Sequence, residues 1–131
     1  MRKDISIPEV SGVKVAAILE NDETLEDKVW TVYLINQNKS DLETVLIVSE
    51  GNSETQKTST LRKKIDILPA QSIAKIEFLQ DELLAFENKF KVSYFLNHTL
   101  YHKDFIFEAN SISEKQATQL QLIDKIGVLA Q

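Results

Sequence analysis

The chain has 131 residues, 43% of them hydrophobic and 27% charged, which suits one domain able to bury its own core. The absence of cysteine excludes disulfides, thiol nucleophiles and thiolate metal sites, and it fits a reducing compartment. A net charge of −5 argues against general nucleic-acid or anionic-membrane binding, since both need surplus cations to displace counterions.

After Met1-Arg2-Lys3-Asp4 no apolar run of the secretory kind follows, and no apolar stretch is long enough to span a bilayer. A cytoplasmic location and no membrane partner are therefore expected. Only 3 glycines and 2 prolines argue against linkers or long disorder.

From Val13 onward the dominant period is two. Val13, Val15, Ala17 and Leu19 alternate with Lys14 and Glu20 on the other side, which predicts a strand. The acidic stretch Asn21-Asp22-Glu23-Thr24-Leu25-Glu26-Asp27 reads as a solvated loop. It lacks both the staggered oxygens and the turn glycine of a calcium loop. Val29 to Ile35 is apolar on both faces and rich in β-branched and aromatic residues, so it predicts a central strand with Trp30, Val32 and Leu34 inward. The polar cluster Asn36 to Asp41 is a turn, and Thr44 to Val48 is the next strand.

Thr58 to Ile67 is a weaker strand with a basic middle, ended by Leu68-Pro69, because proline cannot donate to a ladder. Ala74, Ile76 and Phe78 alternate with Lys75 and Glu77, which predicts a half-buried strand with Phe78 inward. Gln80 to Phe86 fits a short helical turn with its acidic residues first. Phe90, Val92, Tyr94 and Leu96 mark a strand, Asn97-His98-Thr99 a turn, and Tyr101, Lys103, Phe105 and Phe107 one side of the returning strand. In the tail, Ser113 with Gln116 suggests a capping box, while Leu120, Leu122 and Val128-Leu129 favour short extended segments around Gly127.

These elements predict an all-β fold, an immunoglobulin-like β-sandwich of seven to eight antiparallel strands with one short helical turn near 80–86. Residues 1–131 form a single domain on this reading, with 1–10 and 111–131 at its periphery.

Three stretches, Trp30 to Asn36, Ala74 to Glu82 and Lys125 to Leu129, together resemble a family of short uncharacterised bacterial proteins of about this whole length. Some members carry the label phenylalanyl-tRNA synthetase alpha chain. The resemblance implies the same sandwich and carries over no active-site residue. A class II synthetase core grips ATP with motif arginines, whereas Arg2 and Arg62 are the only arginines here and neither lies in such a motif.

No nucleophile elbow, glycine-rich phosphate loop or third histidine is present, so neither catalysis nor a cofactor or metal is expected. His98 and His102 stand four apart, but on a strand that separation is about 13 Å, too far for one ion. An enzyme assembled around His98, His102 and Asp104 is the weakest reading. Lys57, Arg62, Lys63 and Lys64 form the one basic cluster, in which alternation separates Arg62 and Lys64 from Lys63. Cations of this kind protect a sheet edge. They are also the residues an RNA- or nucleotide-associated accessory domain would use.

Ile35, Phe95 and Ile106 fall on the second faces of their strands and are candidates for an apolar outer patch. The expected function is a non-catalytic interaction or structural domain. Its partner would be another protein or a second copy, met through Ile35, Phe95 and Ile106 or through Arg62 and Lys64.

Overall fold

The computed structural model describes residues 9–22, 27–58, 60–120 and 125–131. Among these, nine strands form two antiparallel sheets, with 63% of the described residues in strands. The strands are β1 (Val13–Asp22), β2 (Asp27–Asn36), β3 (Leu42–Asn52), β4 (Leu61–Leu68), β5 (Ser72–Leu79), β6 (Glu87–Leu96), β7 (Thr99–Phe107), β8 (Thr118–Gln119) and β9 (Ile126–Leu129). One sheet runs β5-β2-β1-β9-β8 and the other β4-β3-β6-β7. Setting β1, β2 and β5 against β3, β6 and β7 gives the expected all-β sandwich, with β4 paired to β3 and the short β8 and β9 taking the count past the seven to eight strands expected.

The core lies between the sheets. Val15, Ala17, Val32, Leu34, Val45, Ile47, Phe90, Val92, Phe105 and Phe107 all fill it, and Trp30 faces inward as expected. Phe90 and Phe107 meet edge to face at 5.9 Å between ring centres, the arrangement their ring quadrupoles favour.

Three turns follow directly from residue type. Asn97 and His98 both adopt positive φ, 50° and 67°, between paired Leu96 and Thr99. That is the two-residue hairpin turn whose twist matches the strands. Gly12, at φ 72°, packs so closely on Asn38 that a Cβ would lie 2.4 Å from Oδ1. Asn36 is fully buried at the end of β2; its amide donates to the carbonyls of Ser40, Leu68 and Pro69, and its Oδ1 accepts from the Asn38 amide. One side chain thus ties three chain segments together.

The helical turn forms as a 3-10 turn at Asp81–Ala85. In the tail, Ser113 precedes a second 3-10 turn, Glu114–Gln116, but its hydroxyl makes no capping bond. Segment 111–131 is more than periphery. Ile112 and Val128 enter the main core, and β9 pairs with β1. The Ile106 and Gln131 backbones exchange hydrogen bonds of 3.0 and 2.9 Å, joining the two sheets along the β7 side.

The strand at β5 departs from simple alternation. Val32 pairs with Glu77 and Tyr33 with Lys75, leaving Ile76 as an extra, bulged residue. A bulge reverses which residues face inward beyond it. Phe78, expected in the core, is therefore 46% exposed, while Leu79 is buried and Glu77 turns toward the opposite sheet.

Candidate functional site

Ile35 does not belong to an exposed patch. It is 1% exposed on the outer side of the five-stranded sheet, in a small second core with Ala16, Ile18 and Leu120. The tail supplies Leu120 to cover Ile35, while Ile73, Phe78 and Leu129 on the same side of this sheet stay 37%, 46% and 43% exposed. Near this cluster, Glu20 accepts from the Tyr33 hydroxyl at 2.5 Å and from Lys125 Nζ at 3.1 Å. Burial pushes the Glu20 carboxyl up, but those two bonds and the Lys125 charge outweigh it and hold it below its usual value. The same burial and bond push the Tyr33 phenol up to about 12.

The other four candidates share one surface, the outer face of the four-stranded sheet. Inward residues Phe90, Val92 and Tyr94 on β6, and Phe105 and Phe107 on β7, leave Lys89, Lys91, Ser93, Phe95, Leu100, His102, Asp104 and Ile106 facing out. The ladders then set out four rows across the face. Arg62, Val48, Lys91 and Asp104 form one; Lys64, Leu46, Ser93 and His102 form the next. Ile67, Glu43, Phe95 and Leu100 pair across the end, where β3 is bulged and Thr44 has φ 49°. Glu50, Lys89 and Ile106 pair across the opposite end.

Leu46, Ile67, Phe95 and Leu100 are 47%, 53%, 38% and 55% exposed, a degree unusual for large apolar side chains grouped in neighbouring rows. Ile106 is only half-exposed and lies at the far end from Phe95. Lys63 points away from this face, donating to the Lys75 carbonyl of β5 at 2.8 Å. Arg62 and Lys64 thus occupy the flank of an edge strand, with Lys64 3.7 Å from Asp66.

His102 links its neighbours across β6 and β7. Its Nδ1 lies 2.8 Å from Ser93 Oγ and its Nε2 2.9 Å from Asp104 Oδ1. His98 takes no part, being held in the hairpin turn. Among the described residues no group of three or more His, Asp or Glu side chains could hold a metal. The acidic loop at 21–27 lies largely outside the described residues.

A second feature arises from the β5 bulge. Glu77 faces β3 across the sandwich, where Ser49 Oγ donates to its Oε1 at 3.0 Å. Burial pushes the Glu77 carboxyl up, and the Ser49 bond only partly offsets this. Both residues line a cleft of about 440 Å³, bounded also by Phe78, Gln80, Leu83 and Asn88. Sequence alternation hid this site because Ile76-Glu77-Phe78-Leu79 fits either register. The adjacent apolar pair Phe78-Leu79 is the one signal of a shift.

No protein-family model, curated protein or solved structure matches the chain. Among the described residues no helix is long and apolar enough to cross a membrane.

Proposed function

We propose that the protein is a non-catalytic interaction domain that pairs with a second copy of itself through the outer face of the four-stranded sheet. The observation that carries this is complementarity between the two flanks of that face. Aligned packing of two such faces about a two-fold axis parallel to the strands lays β4 of one copy over β7 of the other. In that arrangement Arg62 meets Asp104 of the second copy and Ile67 meets Leu100. Each pair occurs twice by symmetry.

The axis perpendicular to the strands is worse. It lays β4 on β4 and β3 on β3, setting Lys64 against Arg62 and Glu43 against Glu50. Like charges brought together in an interface are costly. Apolar area from Leu46, Phe95 and Leu100 supplies the attraction, and the charged flanks set the register.

The Ser93-His102-Asp104 chain supports contact better than catalysis. It lies on the open sheet face, where the His102 and Asp104 side chains are 52% and 40% exposed and water competes for the same groups.

Sedimentation velocity at micromolar concentration tests the proposal. A dimer is expected, with Phe95→Asp giving a folded monomer by circular dichroism. A strictly monomeric native protein would overturn it. RNA capture that falls steeply with salt and requires Arg62 and Lys64 would replace it with an accessory nucleic-acid role.

A further inference from the structure

We infer that the cleft between β3 and β5 binds a small primary amine, whose ammonium group docks on Glu77 and whose aliphatic stem lies along Leu83. The acid is supplied by the Ile76 bulge, which swings Glu77 inward from the side that alternation assigns to solvent. Ser49, itself 4% exposed, donates to Oε1 and fixes the carboxyl group. Oε2 has no hydrogen-bond partner and no paired cation among the described residues.

Among the described residues the lining contains no lysine, arginine or histidine. Its other carboxylate, Glu50, is already neutralised by Lys57 at 3.6 Å and Lys91 at 3.9 Å. Glu77 is therefore the uncompensated charge, and a partly buried carboxylate gains most from a cation that is itself being desolvated. The volume accommodates a molecule of a few carbon atoms rather than a folded partner. An anionic ligand would meet Glu77 with like charge. A neutral polyol would leave that charge unpaired.

Amide-resolved NMR titration of the whole protein with 1,4-diaminobutane tests this, with butane-1,4-diol as the neutral isostere. The expected result is saturable shifts at Ser49, Gly51, Leu79 and Asn88 with the diamine alone. Affinity should fall about tenfold or more in Glu77→Gln, whose dispersed spectrum reports its folding. Leu83→Ala, which removes part of the apolar wall, should weaken the same binding a few-fold. Equal shifts with the diol, undiminished binding by Glu77→Gln, or no saturable response to the diamine would overturn the assignment.

Discussion

Ser49 on β3 and Glu77 on β5 meet across the gap between the two sheets at 3.0 Å, although their strands belong to different sheets. The contact exists because a one-residue bulge at Ile76 changes which side of β5 faces inward. It places a carboxyl group where water is scarce, and it has consequences for stability as well as for binding.

Burial raises the folded-state value of Glu77 above its ordinary 4.5. A carboxyl shifted upward contributes stability that is complete below the unfolded value and is lost as pH rises through the folded one. Glu77→Gln keeps an acceptor for Ser49 and removes the charge. Denaturant unfolding should therefore find the variant more stable than the native protein at pH 7, with the gap closing near pH 4. A variant less stable at neutral pH would contradict the desolvated carboxylate.

The bulge itself predicts unequal costs at two adjacent apolar positions. Leu79 is 3% exposed and Phe78 46%. Leu79→Ala should cost about 2–5 kcal/mol of folding stability through lost burial and a residual cavity. Phe78→Ala should cost less than about 1 kcal/mol. Reversed costs would restore uninterrupted alternation along β5.

Asn36 makes three donations and one acceptance while fully buried. Replacing it with alanine strands the Leu68 carbonyl and loosens the loops beside it. A loss on the order of 3 kcal/mol is expected in chemical unfolding. A change below about 0.5 kcal/mol would show that water replaces the amide fully.

Glu20 behaves oppositely to Glu77. Its folded value lies below 4.5, so its contribution is present above that pH and fades as pH falls through the folded value. Tyr33→Phe removes one donor, and an NMR titration should then show Glu20 titrating at higher pH than in the native protein. An unchanged midpoint would assign the lowering to Lys125 and Thr31 instead.

Much of the fold was legible from alternation. The inward set Trp30, Val32 and Leu34 and the turn at Asn97-His98 both emerge from residue type and spacing. Ile35 misled because a central strand is apolar on both sides. Whether its second side meets solvent depends on Leu120, 85 residues later, and local pattern carries no such information. Phe78 misled for a different reason: a bulge is one unpaired residue, and an adjacent apolar pair conceals where it falls. The outer face was partly visible through Phe95, Ile106, Arg62 and Lys64. Their sharing a surface, and the addition of Leu46 and Leu100, required the registers of β3, β4, β6 and β7.

Charge reversal across the two flanks tests the central claim most directly. Arg62 and Asp104 lie on opposite edge strands, so they meet only between copies. Sedimentation equilibrium should give a dimer for the native protein, a marked shift to monomer for Arg62→Glu or Asp104→Arg alone, and recovery of the dimer when both changes are combined. A native monomer, or single variants that dimerise as well as the native chain, would contradict the account.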